Sequence, residues 1–235
     1  MSIIIVRSVF ILLLLLTGYN AISQDEKMND WANLKRFSSE NIDLGMPEED
    51  ERRVVFMGNS ITEAWVRIRP EFFNGKNYIN RGISGQTTPQ MLVRFRADVI
   101  NLNPSVVVIL AGINDIAGNT GPSTIEMIQN NLASMSELAS SNGIKIILCS
   151  VLPAYDFPWR PGLEPADKVI KLNNWIKAYA ENNGHSYVDF FSSMVDQRNG
   201  MKSEYTYDEV HPTEAGYMVM EPLLEKAIKY SLLRE

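Results

Sequence analysis

The turn Gly-Asn-Ser-Ile-Thr at 58–62 presents a serine, Ser60, in a position that suits a nucleophile. It directly follows the apolar run 54–57, a pattern that indicates a buried strand. A serine in a tight turn after such a strand lies outside the carboxyl edge of an open α/β sheet, where ligands of these sheets bind. Because many strand-to-helix turns contain serine, the assignment depends on further residues of the same site.

Two histidines are candidates for the base that a serine nucleophile needs. His185 lies in a polar turn ahead of a predicted strand, so we expect a loop residue rather than a catalyst. His211 lies three residues after Asp208 and follows the last predicted strand. The Asp208 carboxylate can accept a hydrogen bond from one ring nitrogen and leave the other for Ser60. Alone, the pattern Asp-x-x-His has low specificity, and its position after the last strand is what favours a catalytic role.

Donors for a developing oxyanion follow the second and third predicted strands. Gly85 ends the turn 82–85, where glycine lets the backbone approach a ligand closely. Asn114 lies in the turn 111–115 and can direct its side-chain amide into the same crevice. Taken singly, these are equally a tight turn and an Asx turn. Three strand ends that each offer one part of a hydrolytic site favour function over coincidence.

The combination of Ser60, Gly85, Asn114 and His211 resembles the SGNH (GDSL-type) hydrolase family, whose name lists these four residue types. The turn 58–62 matches the family's first block, Gly85 the second and Asn114 the third. Asp208 and His211 match the last block, so the resemblance covers nearly the whole domain after residue 23.

The resemblance implies a flavodoxin-like, three-layer α/β/α sandwich that hydrolyses esters or thioesters and needs no metal or organic cofactor. It implies Ser60, Asp208 and His211 as the catalytic residues. It also implies an oxyanion hole made of the Ser60 and Gly85 backbone N–H groups and the Asn114 amide.

Asn59 departs from the family pattern, which commonly has aspartate at this position. The amide keeps an acceptor oxygen but loses a charge and adds two donors. Because Asn59 is outside the proton relay, we expect activity to survive the difference, although it leaves room for an altered or lost activity.

Apolar, β-branched runs alternate with amphipathic helical patterns along the chain, which is typical of βαβ units and a parallel sheet. Two of the runs are almost continuously hydrophobic, as expected when helices cover both faces of the sheet. The sequence therefore predicts an α/β protein with five parallel strands, at 54–57, 78–80, 106–110, 144–149 and 187–189.

Helix boundaries are also readable. Thr88 before Pro89 predicts the start of one helix, and Ser123 with Glu126 predicts a capping box for another. Asn-Gly pairs at 142–143 and 183–184 predict two helix ends. The last helix is expected from about residue 213, and a further helix over 25–44.

The first 23 residues have the pattern of a secretory signal peptide. Arg7 precedes an apolar run at 9–16, and the small residues 21–23 suit cleavage after Ser23. The apolar run is short for a permanent membrane span. We therefore expect a signal peptide over 1–23, a hydrolase domain over 24–235 and a periplasmic or secreted product without stable membrane insertion. Removal of Arg7 with the signal takes the net charge from -6 to -7.

Composition limits which partners this chain can bind and excludes an internal disulfide. The negative net charge and the lack of a basic stripe exclude a nucleic-acid partner. The single cysteine, Cys149, ends an apolar run and is expected to be a small buried side chain, so stability must come from the core. The pattern leaves the oligomeric state open.

Substrate identity is the least determined property. The aromatic and proline-rich segment 155–161 suits either a wall for a sugar or acyl group or a stiff surface loop. We expect an exported serine esterase that removes acetyl or other short acyl groups from a small-molecule or oligosaccharide ester. A lysophospholipase or thioesterase for longer acyl chains, and a non-catalytic carbohydrate-binding relative, stay open as alternatives.

Overall fold

A computed structural model describes residues 30–233 of the 235-residue chain. The predicted signal peptide over 1–23 and its cleavage site lie outside the described residues, so the domain boundaries remain predictions.

One parallel sheet organises the fold. Its strands are β1 (Val54–Gly58), β2 (Tyr78–Gly82), β3 (Val106–Leu110), β4 (Lys145–Cys149) and β5 (Ser186–Val188). They pair in the order β2-β1-β3-β4-β5, the flavodoxin-like order. The five predicted strands are thereby confirmed, with small shifts at their ends. The chain leaves β1 toward β2 and returns to β3 on the other side of β1, so a crevice opens at the carboxyl ends of β1 and β3.

Helices cover both faces of the sheet and complete the three layers. The α-helices are α1 (Ser38–Leu44), α2 (Ser60–Ile68), α3 (Pro70–Phe73), α4 (Thr88–Asp98), α5 (Ile113–Ile116), α6 (Ile125–Ser141), α7 (Ala166–Asn182), α8 (Phe191–Met194) and α9 (Glu214–Leu233). Helix α2 packs on β1 and β2, and α9 packs on β3, β4 and β5. Helices α4, α6 and α7 pack side by side, with α6 and α7 against β4. Because parallel crossovers are right-handed, these three helices lie on the face opposite α2.

The core follows from the strand composition. Every residue of β1 and β3 is buried, and β4 is buried after its first residue. The runs of β3 and β4 are the two that are almost continuously hydrophobic, and their burial agrees with helices on both faces of the sheet. An aromatic cluster fills the space between β1, α2 and α9. Trp65 is its centre, 1% exposed, and stacks on Phe72 with ring centroids 5.2 Å apart. The Tyr217 hydroxyl of α9 donates to the Ile61 carbonyl at 2.8 Å, which fastens α9 to the start of α2.

The helix predicted over 25–44 is wrong for most of its described part. Residues 30–37 form turns, and only α1 is helical. The Asp30 carboxylate accepts hydrogen bonds from the Leu34 and Lys35 N–H groups at 2.6 and 3.0 Å, and Asn33 is left-handed with φ 56°. This local bonding competes with a helix. Trp31 is consequently 45% exposed.

Two predicted caps are off by one residue. Thr87, rather than Thr88, precedes α4, and its N–H donates to the Gln90 side chain at 3.1 Å. Thr124, rather than Ser123, caps α6 by accepting from the Met127 N–H at 3.1 Å. The predicted ends of α6 and α7 are confirmed, with Gly143 in the left-handed region.

Candidate active site

Ser60 is the first residue of α2 and follows β1 after a single residue. That residue, Asn59, is 1% exposed, and its Oδ1 accepts a hydrogen bond from the Ile61 N–H at 3.0 Å. The side chain therefore caps α2, a task that asparagine and aspartate perform equally well. Ser60 lies at the positive end of the helix dipole and at the carboxyl edge of the sheet.

A tight turn ahead of α9 holds His211. The Asp208 Oδ1 accepts from the Val210 N–H at 3.1 Å and from the His211 N–H at 2.7 Å. Glu209 takes a left-handed conformation, φ 69°, which bends the chain between them. The Thr206 hydroxyl closes the turn by donating to the His211 carbonyl at 2.9 Å. The spacing of three residues thus lets one carboxylate orient both the backbone and the ring of the histidine.

The structure brings Ser60, His211 and Asp208 into one hydrogen-bonded chain. The Ser60 Oγ lies 2.9 Å from His211 Nε2, and His211 Nδ1 lies 2.7 Å from Asp208 Oδ2. Because a carboxylate only accepts, the proton of the ring belongs on Nδ1, and the Nε2 lone pair faces the serine hydroxyl. This arrangement can move a proton from Ser60 to the imidazole.

Gly85 lies in a loop that β1 holds beside Ser60. The Ile83 N–H donates to the Gly58 carbonyl at 3.1 Å, which extends the pairing of β1 and β2 past their ends. Gly85 has φ 76°, a conformation that side chains disfavour, and its carbonyl accepts from the Asn119 amide at 3.2 Å. On the other side of the loop, the Glu63 carboxylate accepts from the Ser84 N–H at 3.0 Å and from its hydroxyl.

Asn114 reaches the same loop from the end of β3. It is 5% exposed in the short helix α5, and its amide donates to the Gln86 carbonyl at 3.0 Å. Gln86 follows Gly85 directly. The structure therefore brings Asn114 to the Gly85 loop, while the same loop pairs with β1 just ahead of Ser60.

A buried arginine, which sequence reasoning missed, links these loops. Arg94 of α4 is fully buried and donates to the carbonyls of Gly58 at 3.1 Å and Arg81 at 2.8 Å. It also donates to the Gln86 side-chain oxygen at 2.6 Å and to the Asp98 carboxylate at 3.0 Å. Burial lowers the pKa of Arg94, and the Asp98 carboxylate opposes that shift. The available sequence signal was a charged pair at i and i+4 on the apolar side of α4.

Asp115 fastens the start of α4 to α5. It is 2% exposed, and its carboxylate accepts from the Thr88 N–H at 3.0 Å and from the Thr88 hydroxyl at 2.6 Å. Asn131 donates to the same hydroxyl at 3.0 Å. Burial raises the pKa of Asp115 to about 6, although the Thr88 donors act in the opposite direction. Thr88 therefore bonds Asp115 and does not act as the predicted N-cap of α4.

Neither Cys149 nor His185 belongs to the hydrogen-bonded chain of Ser60, His211 and Asp208. Cys149 is 2% exposed, as expected, and burial raises the pKa of its thiol. His185 precedes β5 at the amino edge of the sheet and is half-buried against Tyr179, so burial lowers its pKa. Over residues 30–233, no group of three or more His, Cys, Asp or Glu is placed to hold a metal ion. Within the same range, no helix combines the length and apolarity that crossing a bilayer requires.

Comparison with known proteins matches residues 56–219 to the model of the GDSL-like lipase/acylhydrolase family. The chain belongs to this family. The matched segment begins in β1 and ends in α9, so it contains Ser60, Gly85, Asn114, Asp208 and His211. The resemblance inferred from the sequence motifs is confirmed at the level of the family.

Two solved structures of this family are similar to the chain at 51% identity. A proposed acylhydrolase from Bacteroides fragilis NCTC 9343 has a TM-score of 0.84 over 86% of this chain and 98% of that one. A GDSL-like lipase from Bacteroides thetaiotaomicron VPI-5482 has a TM-score of 0.83 over 85% and 98%. An acetylxylan esterase from Xylanibacter ruminicola is 25% identical over 219 aligned positions, covering 78% of this chain and 44% of that protein. The chain spans less than half the length of the curated relatives it matches, between 39% and 48%.

The raised pKa of Asp115 predicts how stability depends on pH. With a folded value of about 6 against an ordinary 3.8, the folded state holds a proton that the unfolded state has lost between these values. The contribution of Asp115 to the free energy of unfolding therefore falls as pH rises through this window, by about 3 kcal/mol in total. We expect Asp115→Asn to lack this fall. Urea unfolding at intervals between pH 4 and pH 7 measures the free energy of unfolding of both proteins. The value for the variant minus that for wild type should increase with pH.

Asp156→Asn is the matched control for this experiment. Backbone N–H groups, that of Gly162 foremost, lower the pKa of Asp156 from its ordinary 3.8. This carboxylate is therefore ionised in both the folded and the unfolded state over most of the range from pH 4 to pH 7, and the stability curve of its variant should run parallel to that of wild type. Parallel pH curves for Asp115→Asn and wild type would contradict the assignment of a raised pKa to Asp115.

Proposed function

We propose that the chain is an exported serine ester hydrolase that removes acetyl or other short acyl groups from carbohydrate. The observation that carries the hydrolase assignment is the hydrogen-bonded chain from Ser60 Oγ through the His211 ring to Asp208, with contacts of 2.9 and 2.7 Å. A serine so placed is activated by the adjacent base, which a third group orients.

In the first half of the proposed reaction, His211 Nε2 takes the Ser60 proton while Oγ bonds to the ester carbonyl carbon. The tetrahedral intermediate collapses, the bond from carbon to the alcohol oxygen breaks, and the imidazolium gives its proton to that oxygen. In the second half, His211 deprotonates a water that attacks the acyl-serine, and the proton returns to Ser60 Oγ as the carboxylic acid leaves. Asp208 keeps the ring oriented and stabilises the imidazolium throughout.

The oxyanion of each intermediate is assigned to three donors, the N–H groups of Ser60 and Gly85 and the amide of Asn114. The Ser60 N–H belongs to the first turn of α2, where the helix dipole favours negative charge. The loop around Gly85 is held on both sides before substrate binds, by Glu63 at the Ser84 N–H and by Asn119 at the Gly85 carbonyl. One amide hydrogen of Asn114 goes to the Gln86 carbonyl, and the amide has a second for the oxyanion.

The carbohydrate substrate and the export rest on separate support. The Xylanibacter ruminicola relative is an acetylxylan esterase, although the similarity is low and covers part of that protein. The segment 155–161 exposes two aromatic rings, those of Tyr155 and Trp159, at 47% and 48%. Export is proposed from the signal-peptide pattern at 1–23 alone.

Hydrolysis of longer acyl esters is the second candidate, because a family neighbour at 51% identity is a GDSL-like lipase. A non-catalytic carbohydrate-binding protein is the third, motivated by Asn59 in place of the common aspartate. Asn59 nevertheless caps α2 through the Ile61 N–H, so the substitution keeps the geometry of the serine turn, which favours a hydrolase over a non-catalytic protein.

Ser60→Ala should abolish both covalent labelling by a fluorophosphonate probe and hydrolysis of p-nitrophenyl acetate, because the alanine has no oxygen to attack either reagent. Labelling followed by gel fluorescence, and p-nitrophenol release, measure the two effects. Ser140→Ala, at an exposed position of α6, is the matched control and should keep both activities. Labelling that persists in Ser60→Ala would assign the nucleophile to another serine, and an inactive wild type would favour the non-catalytic alternative.

Asn114→Ala should lower kcat by about 10²–10³, the usual effect of removing one oxyanion donor. KM should change little, because the donor acts mainly on the charge that develops in the transition state. Steady-state kinetics on p-nitrophenyl acetate measure the split, and urea unfolding checks that the variant folds. Asn114→Asp keeps the shape without the donors and should be equally slow. A kcat near that of wild type in both variants would remove Asn114 from the proposed oxyanion hole.

Acyl-chain profiling separates the short-acyl assignment from the lipase alternative. We expect kcat/KM on p-nitrophenyl acetate to exceed that on the laurate and palmitate esters, because the proposed site accommodates a small acyl group. Rates are compared below the aggregation threshold of the long esters. A preference for laurate or palmitate would establish the long-acyl alternative without affecting the assignment of Ser60.

A further inference from the structure

Two exposed aromatic rings lie against the imidazole of His211. The ring centroid of Tyr207 is 5.8 Å from that of His211, with the planes stacked at 13°. The ring of Trp159 is 6.0 Å away and tilted by 39°. Tyr207 is 64% exposed and Trp159 48% exposed. Large apolar rings left this accessible beside a reactive group form a surface that a ligand can cover.

The Trp159 ring is held in place by its own loop. It packs on the fully buried ring of Phe157, with centroids 5.3 Å apart. Asp156 closes the loop by accepting from the Gly162 N–H at 2.7 Å. Arg160 donates to the carbonyls of Ala117 and, at 3.1 Å, Gly118, both just after α5. The loop is therefore tied to the segment that carries Asn114, and the ring is oriented before any substrate binds.

Tyr207 belongs to the turn that orients the catalytic base. Its N–H donates to the His211 carbonyl at 3.3 Å, and it immediately precedes Asp208. The two rings thus come from segments far apart in sequence and converge on one imidazole. Tyr207 stacks on His211 and still keeps most of its side chain exposed.

The proton path of the proposed reaction decides which part of the substrate meets these rings. His211 Nε2 must deliver its proton to the leaving oxygen, so the alcohol portion of the ester has to lie next to the imidazole. The acyl oxygen is instead directed to donors on Ser60, Gly85 and Asn114. Since Trp159 and Tyr207 contact the imidazole, they border the alcohol rather than the acyl group.

We propose that Trp159 and Tyr207 form a binding site for the sugar ring of the alcohol portion of the substrate. The inference rests on the proposed function and deepens it. A pyranose has an apolar C–H face that stacks on an aromatic ring and a rim of hydroxyls that suits the Trp159 N–H and Tyr207 O–H. Rigid, half-exposed rings with polar ends match such a ligand better than an alkyl chain, which favours an enclosed apolar pocket.

The test compares two acetate esters that share the acyl group and differ in the alcohol, an acetylated xylo-oligosaccharide and ethyl acetate. Trp159→Ala should raise KM for the acetylated sugar by about threefold to tenfold, the effect expected from one lost aromatic contact. Ethyl acetate kcat/KM should change by less than about twofold, since an ethyl group has too little apolar surface to stack on an aromatic ring. Tyr207→Ala should act in the same direction, whereas Trp159→Phe and Tyr207→Phe, which keep a ring, should be milder.

Tyr230→Ala is the matched control for an exposed aromatic. Tyr230 is 57% exposed near the end of α9, and its neighbour Ser231 bonds Ser186 at the amino end of β5, the edge opposite Ser60. This variant should leave both esters unchanged. Equal losses on both esters in Trp159→Ala and Tyr207→Ala would mean that the rings only support the imidazole, and unchanged kinetics on the sugar would overturn the site.

Binding measured by titration calorimetry tests the sugar site independently of the hydrolase assignment. Ser60→Ala should bind the acetylated xylo-oligosaccharide without turnover, and Ser60→Ala with Trp159→Ala should bind it several-fold more weakly. If wild type hydrolyses neither ester, the proposed reaction fails, and this measurement still decides the sugar site. Equal affinity in the single and double variants, or no binding by either, overturns the site even when hydrolysis is intact.

Discussion

The buried guanidinium of Arg94 is the interaction on which the geometry around Ser60 depends. It lies between α4 and the sheet and is fully buried, so each of its donors needs a protein partner. Those partners are the Gly58 carbonyl at the end of β1, the Arg81 carbonyl near the end of β2, the side chain of Gln86 and that of Asp98. Removal of the cation would leave the buried Asp98 carboxylate without its counter-ion, a cost well above that of losing an exposed ion pair.

Around this cation, hydrogen bonds within the protein connect each loop of the site to its neighbours, and none of them requires a bound substrate. Glu63 of α2 holds Ser84, Asn114 holds the Gln86 carbonyl, and Asp115 holds the start of α4. Helix α9 is fastened to α2 by Tyr217, which keeps the turn of His211 at the edge that carries Ser60. The donors assigned to the oxyanion are therefore oriented by the fold itself, which is the condition for electrostatic stabilisation without reorganisation.

Most of the fold was predictable because its determinants are local. Runs such as 106–110 combine β-branched residues with burial on both faces, and Asn-Gly pairs end α6 and α7 where predicted. Errors arose where a side-chain hydrogen bond replaced the one that the sequence pattern predicts. Thr88 serves Asp115 and leaves the cap of α4 to Thr87, and the Asp30 carboxylate replaces the expected helix with a turn. The role of Trp159 could not be assigned, because its contact with His211 joins two loops that share no sequence pattern.

By itself, the sequence determined the family, the parallel α/β sheet and the residue types that stand at its strand ends. Hydrophobic periodicity and the residue preferences of turns depend only on residues that are close together in the sequence. Only the tertiary structure decided that Ser60 and His211, 151 positions apart, lie 2.9 Å from each other, that Arg94 joins the loops, and that two rings flank the imidazole. Such distances depend on the path of the chain through all the connections between strands and on which buried polar groups pair with each other. A local sequence pattern contains neither.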